Sequence, residues 1–145
     1  MKTLSASKSE LARVAIFAAL GAAFAVQVFA ESAPMTPDQL SRYMEPYVAE
    51  VNKVLPRMQG EGLRQEKVLA RPGGVLVMNY TVLHPVSQEM LTHINSQGRT
   101  DAVRSLCGST RARSLLEAGA VIRYGLYSSA GGRLTSIDVK REHCR

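Results

Sequence analysis

The sequence predicts an α+β domain: an N-terminal helix, then two strands, one or two helices and two more strands. The expected product is a four-stranded antiparallel sheet with helices packed on one face. Three observations carry this. Val75 to Leu83 and Ala120 to Ser128 alternate in hydropathy with the period of a half-buried strand. Each lies beside a double-glycine turn, Gly73-Gly74 or Gly131-Gly132. Before and between them, over 40–55 and 103–116, apolar residues recur at helical spacing.

The chain opens with Lys2, Lys8 and Arg13 against one acid, Glu10, and Val14 to Ala30 then carries no charge. That is the basic and apolar pair of regions of a secretory leader. Val28-Phe29-Ala30 places small residues three before and one before the expected cleavage point, and Glu31-Ser32-Ala33-Pro34 turns polar. Cleavage is expected between Ala30 and Glu31, giving a signal peptide over 1–30 and a single exported domain over 31–145. The competing reading is a retained anchor, because the run approaches the roughly 20 apolar residues that cross a bilayer. Its alanine-rich composition and Gln27 argue for cleavage, as does the want of an aromatic or basic outer boundary. In either case the basic start keeps residues 31–145 outside the cytoplasm. No cysteine lies near the site, so a lipid-anchored lipoprotein is not expected.

In the exported part, Thr36-Pro37-Asp38-Gln39 reads as a helix start with Thr36 as N-cap and Gln39 closing a capping box. Leu40, Met44, Tyr47, Val48, Val51 and Leu55 form the apolar face; Pro46 should kink or divide the helix, and Pro56 and Gly60 should end it. Leu63 to Arg71 is a weakly patterned edge strand that pairs through Pro72-Gly73-Gly74 with Val75 to Leu83, where Leu76, Met78, Tyr80 and Val82 face inward. His84-Pro85 breaks the strand. Val86, Met90 and Ile94 suggest a short helix stopped by Gly98, and a second helix starts at Thr100-Asp101 with Val103, Leu106 and Cys107 on one side. After Gly108 it resumes over Thr110 to Ala118 and closes at Gly119. The last hairpin pairs Ala120 to Ser128 with Arg133 to Arg141, burying Ile122, Tyr124, Leu126, Ile137 and Val139.

The whole chain carries a net charge of +6; the leader's three cations and one acid take this to +4 for the exported part, where arginines dominate the cations. A basic surface suits an acidic protein or an envelope component such as lipopolysaccharide, and export makes a nucleic-acid partner unexpected. Membrane contact is expected only through the N-terminal segment, if it is uncleaved. The two cysteines, Cys107 and Cys144, lie in the exported part, where an oxidising compartment favours one disulfide between them. The alternative is a cysteine-dependent enzyme using a free Cys107 thiol.

Other chemistry is sparse. His84, His93 and His143 sit at no metal-ligand spacing, so no metal is expected. Glu61, Glu66, Glu89, Asp101, Glu117, Asp138 and Glu142 could serve general acid–base work only if two of them converged, which spacing does not show. The glycine pairs join strands instead of opening helices, so they read as hairpin turns and not as phosphate cradles. Tyr80, Tyr124 and Tyr127 could stack a ligand, although tyrosines half-buried under a helix are commoner. No catalytic residue and no cofactor are assigned.

The stretch comprising Cys107, Thr110 to Leu116, Gly119 to Tyr124, Gly131-Gly132, Ile137-Asp138-Val139 and Cys144 resembles a family of small exported bacterial proteins, the quorum-sensing-regulated virulence factors. The match spans about 100–145. It implies an exported, non-enzymatic protein and supplies no catalytic residues. The expectation is therefore a non-catalytic periplasmic or secreted interaction protein, virulence-associated if the resemblance holds, that binds a protein or envelope component through the open face of its sheet. A membrane-tethered accessory subunit of an envelope machine, or a small cysteine-dependent enzyme, is the alternative.

Overall fold

Residues 34–145 are described by a computed structural model; the expected cleavage site at Ala30 and Glu31 lies outside them. The first helix, α1 (Pro37–Asn52), starts where its capping chemistry dictates. Thr36 N–H donates to Gln39 Oε1 at 2.9 Å, and Gln39 N–H donates to Thr36 Oγ1 at 3.3 Å. Pro37 has no N–H, so three orphan donors remain at this end, and the box satisfies two of them. Leu40 and Met44 are buried, while Tyr47, Val48 and Val51 pack at the margin of the core. Pro46 does not divide the helix, which continues through it. It faces solvent, where the carbonyl left unbonded by the missing N–H can be hydrated.

The helix ends at Asn52, ahead of Pro56, and Asn52 turns its amide onto the sheet. Nδ2 donates to Val68 O at 2.8 Å and Oδ1 accepts from Val68 N–H at 2.9 Å, as a neighbouring strand would. The strands are β1 (Arg57–Met58), β2 (Leu63–Arg71), β3 (Val75–Val82), β4 (Val121–Ser128) and β5 (Arg133–Val139). β1 pairs only with Arg64 and Gln65 of β2, so Asn52 satisfies the β2 edge where β1 has ended.

The sheet is thus five-stranded and mixed, in the order β1-β2-β3-β4-β5, and not the expected four-stranded antiparallel one. β3 and β4 run parallel, with Leu76 opposite Ile122, Met78 opposite Tyr124 and Tyr80 opposite Leu126. The helical segment between them is the kind of long crossover that parallel neighbours need, whereas the two glycine turns close antiparallel hairpins. The weak pattern of β2 also has a cause. A bulge between Gln65 and Lys67 shifts the inward set from Leu63 and Gln65 to Val68.

The crossover contains α2 (Gln88–His93), one turn of π-helix (Ile94–Gly98), α3 (Arg99–Gly108) and α4 (Thr110–Glu117). Gly98 was expected to stop a helix, yet its φ of −60° and ψ of −38° are helical and the chain runs on into α3. The wide turn rotates the inward face, so Ala102 and Leu106 are buried while Val103 and Cys107 lie at the margin. Gly108 does mark a break: Ser109 is extended, and its hydroxyl accepts from Ala112 N–H to start α4. Gly119, at φ 103°, takes the left-handed form that ends α4.

Ala102, Leu106, Ala112 and Leu116 join Leu40, Met44, Leu76, Tyr80, Ile122, Ile137 and Val139 in one core. Ser41 fastens α1 to the β2–β3 turn, its hydroxyl donating to Arg71 O at 2.9 Å and accepting from Gly74 N–H at 3.0 Å.

Candidate functional site

Strand alternation sends the core residues to the helical side and leaves a second face. By register, that face carries Arg64, Glu66, Lys67, Leu69 and Arg71 from β2 and Val75, Val77, Asn79 and Thr81 from β3. Arg123, Gly125 and Tyr127 of β4, and Ser136 and Asp138 of β5, continue it. Leu69, Val77, Arg123 and Asp138 form one row across four strands. The buried core has no member from these positions, which are partly or fully open except Gly125. Met58 shares the face through its pairing with Arg64 and is 48% exposed.

The centre of the face is shaped by a missing side chain. A Cβ on Gly125 would stand 2.8 Å from Asn79 Oδ1 and 3.2 Å from Tyr127 Cε2. Tyr127 therefore lies across the glycine and shields Asn79, whose Oδ1 is buried without a hydrogen-bond partner. Glycine inside a strand often marks such a close approach. Gly125, inside a strand pattern, is the signal the sequence carries for this feature.

Two ion pairs flank the centre. Arg123 donates to both oxygens of Asp138 at 2.7 Å, a bidentate fork that holds the carboxyl below the usual aspartate range and raises the guanidinium. Glu66 is also held low, first by a hydrogen bond from Thr81 and then by Arg64 at 2.8 Å. With Lys67, Arg71 and Arg133 at its margins, the face carries five cations against two carboxylates. Its surplus is positive and its middle partly apolar.

The remaining candidates disperse. Asp101 pairs with Arg104 and Glu117 with Arg113, and no described contact brings two of the carboxylates together. His84 occupies the space that a Cβ on Gly62 would take, and His143 Nδ1 accepts from Lys140 N–H at 3.1 Å. Among the described residues no group of three His, Cys, Asp or Glu could hold a metal ion. Tyr80 and Tyr124 lie on the helical side with ring centres 6.1 Å apart, and burial pushes both hydroxyls well above the usual tyrosine range. They are core residues, so a platform of three tyrosines does not form. Cys107 and Cys144 are joined, with Cα atoms 5.3 Å apart, which ties α3 to a closing 3₁₀ turn (Arg141–Cys144). In that bond neither sulfur is a thiolate nucleophile.

No family model matches the chain, so the resemblance over 100–145 rests on its pattern alone. No curated protein matches it either. Solved structures do. A candidate secreted protein of Pseudomonas aeruginosa is similar at 22% identity and a TM-score of 0.69, over 79% of this chain and 100% of its own. The pilotin EpsS of the Vibrio vulnificus type II secretion system is similar at 16% identity and a TM-score of 0.58, over 75% of this chain and 94% of its own. The Vibrio cholerae type II secretion pilotin AspS follows at 18% identity and 0.55, over 74% and 94%. This is a fold shared with pilotins. At these identities the likeness extends to architecture, not to ligands or residues. Among the described residues no helix is long and apolar enough to cross a membrane.

Proposed function

We propose that the chain is a non-catalytic, extracytoplasmic interaction protein that serves as an accessory component of an envelope machine and docks an acidic, partly apolar protein surface on its open sheet face. The observation that carries this is the fold, matched over 94% of each of two secretion-system pilotins. The face supports it: Leu69, Val77 and Met58 offer apolar area beside the surplus of arginine and lysine. Such a surface favours association with a complementary negative partner and disfavours a positive one. The secretory leader supports an extracytoplasmic site, and retention of that segment would tether the same domain to the membrane.

The test is site-specific photocrosslinking in cells. A crosslinker at Leu69 or Val77 should give a discrete adduct in the envelope fraction, and one at the exposed helical positions Glu45 or Ala49 should not. Adducts from the helical positions alone, or protein recovered from cytosol with both thiols reduced, would overturn the reading.

A further inference from the structure

A second polar surface lies beside the disulfide. Arg113 and Glu117 reach it from α4, and Arg141 and Arg145 reach it from the turn that Cys144 anchors. With Leu116 and Cys144 these side chains line a concave hollow of about 300 Å³. A second hollow of similar size begins across the Arg113–Glu117 pair, against Cys107 and Gly108. The exposed lining of the first is more polar than apolar, with Leu116 and Cys144 as the two uncharged residues.

Three arginines and one side-chain carboxylate thus line the hollow. Arg113 reaches Glu117 at 3.0 Å, but both are more than half exposed, and such a pair holds its partners loosely. Among the described residues no carboxylate lies within salt-bridge reach of Arg141 or Arg145. Like charges drawn around a concave space repel one another until an anion enters, and such clefts focus field on it. The planar fork of arginine matches two oxygens of a phosphate at once. The volume of about 300 Å³ exceeds a lone carboxylate and sits at the small end of ligand sites. That size fits a phosphate ester together with its glycerol or sugar.

We propose that this hollow binds a phosphate ester group, with Arg113, Arg141 and Arg145 as donors. Glu117 tempers the affinity, and the disulfide is part of the device because it holds the wall bearing Arg141 and Arg145 against α4. The site is separate from the open sheet face and does not depend on the function read there.

The oxidised full chain is titrated calorimetrically with inorganic phosphate and with glycerol 3-phosphate, and tested for flotation with phosphatidylcholine vesicles with and without phosphatidylglycerol. Arg141→Gln/Arg145→Gln should weaken phosphate binding at least about tenfold, since each lost charge-assisted bond is a large one. Glu117→Gln should tighten it. An arginine-dependent gain in flotation with phosphatidylglycerol identifies a lipid headgroup as the source; arginine-dependent binding of the soluble esters alone identifies a free phosphate ester. The N-terminal segment, cleaved or retained, is the same in every variant, so its contribution cancels from the vesicle comparison. Failure of the wild type to bind any probe at millimolar concentration overturns the proposal, as does unchanged affinity in a double variant that melts at the wild-type temperature. If that variant melts early, Arg141→Lys/Arg145→Lys decides: it keeps charge and loses the forks, so binding must still weaken severalfold.

Discussion

Replacing Gly125 by alanine should destabilise the protein, and removing Asn79 should abolish that effect. The added methyl would lie 2.8 Å from Asn79 Oδ1, a separation that real Cβ atoms do not tolerate, and 3.2 Å from the Tyr127 ring. Overpacking of this kind costs about 2 kcal/mol. Alanine returns up to about 1 kcal/mol because glycine inside a strand is entropically expensive, which leaves a net loss of about 1 kcal/mol. Asn79→Ala alone should be close to neutral, since the packing it loses is offset by removal of a buried oxygen that has no hydrogen-bond partner. In the Asn79→Ala background the methyl meets only the edge of Tyr127, and Gly125→Ala should become neutral or mildly stabilising. The coupling in this double-mutant cycle is therefore at least about 1 kcal/mol. Urea denaturation of the four oxidised proteins, followed by far-ultraviolet circular dichroism, resolves it. With a slope of about 2 kcal/mol per molar, the single variant's midpoint falls by about 0.5 M. Additive effects would refute the contact between Gly125 and Asn79, and a Gly125→Ala variant more stable than wild type would refute the close approach altogether.

Cys107→Ala/Cys144→Ala should lose about 4 kcal/mol, from the loop entropy of a 37-residue separation, and melt about 15 °C lower by calorimetry; a loss under about 1 kcal/mol would contradict the assigned role. Gly98→Ala should stabilise by about 0.5 to 1 kcal/mol in urea, because its φ is already helical and its new methyl would meet Ile137 and Ile94 at 3.7 Å, an ordinary contact. Tyr80 and Tyr124 stay protonated in the folded state after the unfolded chain has begun to release those protons near pH 10. Their stabilisation is complete below about pH 10 and falls as pH rises above it, by about 2.7 kcal/mol per pH unit for the pair. Urea midpoints between pH 9 and pH 11 check this, and Tyr80→Phe should make the slope shallower while leaving neutral-pH stability nearly unchanged, because among the described residues its hydroxyl makes only a weak hydrogen bond, to Met78 Sδ at 3.9 Å.

Local chemistry was legible from residues alone wherever the partners are close in the chain. The Thr36–Gln39 capping box, the Gly119 stop, the inward set on β3 and both glycine hairpins depend on backbone and side-chain preferences within a few positions. Pro46 and Gly98 show where that reasoning stops. Each disfavours a helix by itself, but the burial of Leu40 and Met44 on one helix and of Ala102 and Leu106 on the other exceeds the local penalty. The short β1 leaves almost no periodic signal in two residues, and the β2 bulge exchanges one alternating phase for the other.

The sequence by itself determined a helix and hairpins of known inward faces, and a pair of cysteines suited to joining. Only the tertiary structure decided that the two hairpins meet through parallel β3 and β4, that Asn79 closes over Gly125, and that Arg113, Arg141 and Arg145 gather beside the disulfide. Those are contacts between residues far apart in the chain. Periodicity states which face of an element is apolar, whereas the choice of its neighbour follows from how the faces pack together.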